Sequence, residues 1–539
     1  MSEKRKANLI RQSGPRAQIS WVCLLLSVVF LAFLAHRIGM LGMAFFAMPY
    51  LLCRILLAAF GNTAKELIKR RVALYRSRNA FQNAVGFYHG ITATVFLIGL
   101  LIAAGLFVAS DRICLFISMT RLSSLGLKLF ALSILPLVLM RCMDGYLEGM
   151  GAYAPGAVAQ NVGILTALAA ALLCSGKIGS YSEKIAALMR TDHYYYAYMA
   201  ALGSGSILLG SVVGLLVLVF FNGALKKSLR QLYDGGFVKN KVSYGEVLSD
   251  YAGWFTGAVL KEIYPLAGLF IVTLMALKKQ GSISESLGSF MTGAILVTQP
   301  TVMLARQLSS LMSRQMERDL KHDDRLHACE RMAIHLKVLN YLLFPYLTVL
   351  LTLAPTIGKT LFDTEDKLFV AALMWGVLSA LLCSLLLFAT GAVSAAMKKW
   401  VENLLLLAGL MVSCLVGMRY MAQDEFGFQT VWVVCLMGHL VVLVLESGLI
   451  VKSLNFHQDL LRSFLLIGVS NVVMGLITFV LQRFTASLSA WLVLALGLVL
   501  GLPAYITCIV MTHTFDIHEW SAVPGKELPL GIARWLKLY

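Results

Sequence analysis

The chain has 539 residues, 59% hydrophobic and only 14% charged, where a soluble domain carries about a quarter charged residues. That excludes a soluble enzyme or nucleic-acid-binding domain and points to an all-α polytopic membrane protein. The formal net charge of +18 sits mostly in short connections, where it orients the chain in a bilayer rather than binding nucleic acid.

In chain order, the basic tail 1–18 (Lys4, Arg5, Lys6, Arg11) leads into a first apolar run. No small-residue cleavage site follows that run, so it reads as a retained first helix. Fourteen spans are predicted, at about 19–36, 41–60, 81–109, 123–141, 156–175, 198–221, 250–277, 285–311, 337–357, 368–390, 401–420, 429–450, 463–481 and 488–512. Lys and Arg concentrate in the loops on the N-terminal side, so both termini are predicted to be cytoplasmic. The spans divide into an N-lobe at 19–222, a linker at 223–249 (Lys226, Lys227, Arg230, Gly235, Gly236), a C-lobe at 250–452, two further helices at 453–512, and a cytoplasmic tail at 513–539. Residues 312–337, with alternating charge, are predicted to extend span eight as a helix. Trp520 and Trp535 suggest that the tail lies on the inner membrane surface.

The second span contains Pro49-Tyr-Leu-Leu-Cys-Arg54. An arginine inside an apolar helix is costly and marks a polar path, unless it snorkels to the headgroups. Pro300 to Arg306 repeats the pattern in span eight, about 250 residues later, suggesting a parallel repeat with a site at its interface. Lys261, deep in span seven, is a third basic candidate. His439 and Glu446 share a face of span twelve, and Asn471 lies in span thirteen; these are candidate coupling-ion residues. The tyrosines after His193 read as an aromatic belt anchor or a sugar-stacking platform. The ten cysteines are scattered without CxxC or zinc spacing, and no metal or cofactor is expected.

At span four the chain reads Arg141-Cys-Met-Asp-Gly145-Tyr-Leu-Glu-Gly149-Met-Gly151-Ala-Tyr-Ala-Pro155-Gly-Ala-Val-Ala-Gln160. The glycines there suit close helix packing, and Pro155 suits a helix start. This resembles the G-Y-x-Q-G-x-x-x-x-x-P-x-A-x-x-Q turn of the multidrug/oligosaccharidyl-lipid/polysaccharide (MOP) exporter superfamily. The branch it is most similar to is the polysaccharide-transporter and lipid II flippase group, of the sporulation stage V protein B type. Ile38 to Gly42, Pro49 to Arg54 and Val72 to Arg78 fit that group's second helix and the basic helix after it.

The resemblance implies alternating access by two lobes, with no enzymatic activity. The implied substrate is a polyprenyl-pyrophosphate-linked oligosaccharide or polysaccharide precursor crossing the cell membrane. Arg54 and Arg306 match the helices whose arginines line that group's cavity. The group also carries arginine in span one, whereas residues 19–35 here have none. A pyrophosphate needs bidentate donors, which arginine supplies. The expected partners are the lipid-linked saccharide, membrane lipids, and a coupling Na+, H+ or membrane potential, acting on a monomer. Two other readings stay open. One is a cation-coupled multidrug exporter of the same fold. The other is a polyprenyl-phosphate-dependent glycosyltransferase using Asp111 or Asp363, Glu365 and Asp366.

Overall fold

The computed structural model describes residues 14–228, 243–397, 399–421, 427–456, 459–485, 488–516, 519–523 and 525–535. Arg230, Gly235 and Gly236 of the linker and the basic residues before Gly14 lie outside them. Among the described residues every regular element is helical. Thirteen helices are long and apolar enough to cross a membrane. The first, Val22–Ser77, contains the first two predicted spans. It is interrupted at Gly39, where φ is 69° and ψ 172°, a conformation glycine adopts at least cost. Leu34 and Phe46 both come within 3.3 Å of the position a Cβ on Gly203 would take. Twelve residues of straight helix would span about 18 Å, so the chain reverses at Gly39 and fourteen spans result. Many outward side chains are large and apolar, Leu173 being 80% exposed, as lipid-facing positions require.

The chain divides into two compact units, Pro15–Met291 and Thr292–Tyr539. The N-terminal unit begins with α1 (Gly14–Leu56), a π-helical turn (Leu57–Asn62) and α2 (Thr63–Ser77). There follow α3 (Phe81–Val108), a short α4 (Ser110–Ser118), α5 (Ser124–Gly149), α6 (Ala154–Met189) and α7 (His193–Ser228). Next comes α8 (Tyr244–Gln280), and α9 (Glu285–Lys321) starts in this unit and runs into the next. Helices α6 and α7 meet backbone to backbone: a Cβ on Gly163 would lie 2.8 Å from the Gly210 carbonyl oxygen. Such small-residue seams are how helices pack where lipid removes the hydrophobic drive. Tyr196 and His193 pack against Gly39 and Phe45, so part of the tyrosine cluster braces the reversal.

Helix α8 is tied to this unit along its length. The Tyr244 hydroxyl lies 2.9 Å from that of Thr94, Arg71 pairs with Asp250 at 2.6 Å, and Arg70 stacks on Trp254 at 4.8 Å. Phe60 stacks on Phe255 with centroids 5.2 Å apart.

The C-terminal unit holds the rest of α9, then α10 (Arg325–Thr352), a short α11 (Ala354–Leu361), α12 (Lys367–Ala396), α13 (Lys399–Met421) and α14 (Gln429–Leu454). A π-helical turn (Leu461–Leu465), α15 (Leu466–Phe484), α16 (Ala490–Met511) and α17 (Glu527–Trp535) complete it. Residues 312–337 are not one helix. The chain turns at Asp323, with φ 56°, between α9 and α10.

The tail after α16 also departs from expectation. Phe515, Trp520, Val523 and Ala533 enter a core with Tyr341, Ile467, Tyr505 and Ile509. Trp520 is 1% exposed, and Lys337 pairs with Glu519 at 2.9 Å. The segment therefore packs into the unit rather than lying free on the bilayer.

The two units repeat one local design. Asn79 and Met119 have left-handed backbones, as do Asp323 and Asp363. The offset is the same for both pairs, 323 − 79 and 363 − 119 each being 244. The first turn has Arg78 N to Tyr75 O, Asn79 N to Arg76 O and Ala80 N to Tyr75 O; the second has His322 N to Asp319 O, Asp323 N to Leu320 O and Asp324 N to Asp319 O. The short α4 and α11 occupy the same place. This repeat differs in register from the one the Pro/Arg motifs suggest. It sets Arg306 against Asn62. The π-helical turn adds one residue before that point, so Arg54 falls against Gln299, two helical turns away from Arg306's place.

Candidate functional site

A ladder of buried charge joins α2 to α5. Lys65 and Lys69 are four apart on α2; Asp144 and Glu148 are four apart on α5, so each pair shares a face. Lys65 bonds Asp144 and lies 2.9 Å from Glu148, while Lys69 lies 2.7 Å from Glu148. All four residues are buried, and buried charge persists only when paired. The motif glycines make this possible. A Cβ on Gly145 would lie 2.6 Å from the Lys65 carbonyl oxygen, and one on Gly149 2.7 Å from Val72 Cβ. One on Gly156 would strike the Asp144 carboxylate. No role is assigned to Lys65, Lys69, Asp144 or Glu148 from the sequence; their matched four-residue spacings are the signal that could have found them.

Above this ladder, four helix segments bring polar groups together. Arg54, half-buried near the end of α1, stacks on Tyr50 of its own helix at 5.7 Å. One π-helical turn later, Gly61 faces α5: a Cβ there would lie 3.4 Å from Arg141 Cγ. Cys23 Sγ, on the first limb of α1, is 4.0 Å from Gln160 Oε1 on α6. Arg141 feels the charge of Asp144 first and that of Arg54 next, and both guanidiniums reach Cys23. Arg141, at the very end of the predicted fourth span, has no expected role from the sequence. Among the described residues no carboxylate lies within ion-pair distance of either guanidinium, and the nearby acids Asp144 and Glu148 are held by the lysines. π-helical turns occur often at functional sites, and this one carries Asn62, which donates to Glu262 at 3.3 Å. Lys261, beside Glu262 on α8, is half-buried in the same unit.

The remaining expected residues belong to the C-terminal unit. Arg306 is half-buried on α9, within electrostatic reach of Cys383 on α12. Glu446 on α14 is fully buried, and the Thr390 hydroxyl lies 2.9 Å from its carboxylate. His439, two turns away on the same helix, is 6% exposed. Asn471 on α15 donates to the Ile467 carbonyl at 2.7 Å and accepts from Thr348 of α10 at 3.3 Å. Glu446 thus serves an α12–α14 contact and Asn471 an α10–α15 contact.

The loop acids Asp111, Glu365 and Asp366 have structural work. Asp366 caps α12 through the Leu368 N–H at 2.9 Å, and Glu365 pairs with Lys359 at 2.8 Å. Asp111 lies 4.0 Å from Lys128.

No family model matches the chain, and no curated protein matches it in sequence. Solved structures do match its fold. The lipid II flippase MurJ in an inward closed conformation is 13% identical, with a TM-score of 0.64, covering 92% of this chain and 98% of that one. An inward-facing multidrug-resistance MATE transporter of the MOP superfamily is 12% identical, with a TM-score of 0.60 over 80% of this chain and 95% of that one. A MOP superfamily transporter from Pyrococcus furiosus, described as having a binding pocket of reverse polarity, is 13% identical, with a TM-score of 0.56 over 84% of this chain and 97% of that one. The chain is a multi-pass membrane protein with the MOP transporter fold.

Proposed function

We propose that this chain is an alternating-access flippase or exporter of a polyprenyl-pyrophosphate-linked oligosaccharide or polysaccharide precursor in the cytoplasmic membrane. The polyprenyl chain stays in the bilayer while the anionic head crosses along basic groups. Arg54, Arg306 and Lys261 are its head-group residues, and Glu446, His439 and Asn471 are the candidates for coupling to Na+ or H+. The observation that carries this reading is Arg54: a half-buried guanidinium in an apolar helix, with an aromatic face beside it and, among the described residues, no carboxylate partner. A site of that sign suits a pyrophosphate and repels an organic cation. The fold shared with MurJ supports it, since that protein is a lipid II flippase.

A multidrug exporter is the second reading, favoured by the fully buried Glu446 and by the fold shared with MATE transporters. Reconstitution into liposomes with a fluorescent polyprenyl-pyrophosphate saccharide separates the two. Wild type should move the head group across the bilayer, and Arg54→Ala and Arg306→Ala should each abolish movement at normal expression. Efflux of cationic dyes without lipid movement would transfer the protein to the second reading.

A further inference from the structure

We propose that Arg141 is the second arm of an anion site lying wholly within the N-terminal unit, paired with Arg54 and edged by Cys23 and Gln160, and that its ligand is a phosphoryl dianion. This deepens the reading above and rests on it. Both ends of the span-four motif, Arg141 and Gln160, come to one place although 19 positions separate them in sequence, 160 − 141. Gln160 reaches Cys23, and Arg141 lays its stem against Gly61.

Helices α2 and α5 run parallel. Gly61 meets Arg141, Lys65 meets Gly145, and Lys69 meets Gly149, in rising order on both. A helical side chain leans toward its own N-terminus. Arg141 therefore stands between the Asp144 end of the ladder, whose charge it feels first, and Arg54, whose charge it feels next and which lies seven residues, about 10 Å, before Gly61. Two guanidiniums brought together away from bulk water repel. A ligand with two negative charges and several acceptor oxygens satisfies both, since each guanidinium can present parallel N–H donors. In the repeat register the counterparts are Gln299 for Arg54 and Ser384 for Arg141, counted from the helix N-caps Ser123 and Asp366. The C-terminal unit holds no copy of this pair.

The test uses the purified full chain and inorganic pyrophosphate, titrated calorimetrically. Arg141→Gln and Arg54→Gln should each weaken binding by about tenfold or more, as loss of a charge-assisted fork implies. Arg141→Lys, which keeps charge without the fork, should fall between them and wild type. Arg121→Gln, an exposed arginine of the same unit, should bind as wild type. Thermal midpoints report folding; if Arg141→Gln does not fold, Arg141→Lys carries the test. Pyrophosphate binding by Arg141→Gln equal to wild type, or none by wild type, overturns the site.

The liposome assay separates the ligand's sources. Lipid movement inhibited by free pyrophosphate assigns the site to a lipid head group. Arg141-dependent binding without lipid movement assigns it to a free phosphoryl compound and leaves the site standing while the flippase reading fails. Lipid movement with Arg141-independent pyrophosphate binding does the reverse.

Discussion

The same helix contact is built twice in this molecule, from opposite materials. In the N-terminal unit Lys65 reaches Asp144 and Glu148. In the C-terminal unit its counterpart Ser309 donates to the Leu387 carbonyl at 2.9 Å and packs against Gly391. Leu387 and Gly391 are the register counterparts of Asp144 and Glu148, and Lys69 is matched by Ser313. With Arg54 against Gln299 and Arg141 against Ser384, each of these charges in one unit is neutral in the other. A hydroxyl and a glycine close the contact at low cost. Buried ion pairs close it against a large desolvation penalty and give little net stability. The charges in the N-terminal unit are therefore not needed for packing, and the repeat has specialised on one side.

The largest expected effect comes from breaking the ladder. Glu148→Leu strands Lys65 and Lys69 with fewer partners and should cost about 3–5 kcal/mol, read as a lowered thermal midpoint of the purified protein. Grafting the other unit's solution, with Lys65→Ser, Lys69→Ser, Asp144→Leu and Glu148→Gly, should restore most of that loss. If the graft is as damaging as Glu148→Leu, the two contacts are not equivalent. Next, Gly391→Val drives a branched side chain into Ser309 and should cost about 1–3 kcal/mol by overpacking. Thr390→Val removes a donor from buried Glu446 and should cost a similar ~1–3 kcal/mol; denaturation of both variants in detergent would check this.

The smallest effect lies at the turn the two units share. Asp324 caps α10 by accepting from the His327 N–H, a cap its counterpart Ala80 cannot provide. Bonds from the His327 side chain and backbone hold its carboxyl below the ordinary 3.8. Its contribution is thus full above about pH 4 and is lost as pH falls through the lowered value. Asp324→Ala should flatten the acid limb of the pH–stability curve slightly, while Ala80→Asp tests whether the cap can be transplanted.

Much of this was legible in the sequence. Fourteen spans followed from hydrophobic runs, and Gly145, Gly149 and Pro155 announced the tight turn between α5 and α6. The register was not legible. Pro49 to Arg54 and Pro300 to Arg306 look alike, but a π-helical turn leaves almost no sequence signature, and α4 and α11 are too short and mixed to stand out from loops. The ladder was hidden because its partners lie on separate helices, where only the fold brings equal spacings face to face. Arg141 was hidden by position: near a helix end, a charge reads as a loop charge until a neighbour such as Gly61 is seen to hold its stem.

The packing of Phe515, Trp520 and Ala533 against Tyr341 and Tyr505 has a consequence for biosynthesis. The core of the C-terminal unit is closed by a segment made after all of that unit's spans, so it cannot be completed while the ribosome still covers Phe515 to Ala533. The N-terminal unit, whose helices are all made earlier, has the remainder of translation in which to assemble. A nascent chain stalled before Phe515 would present one finished unit and one open one.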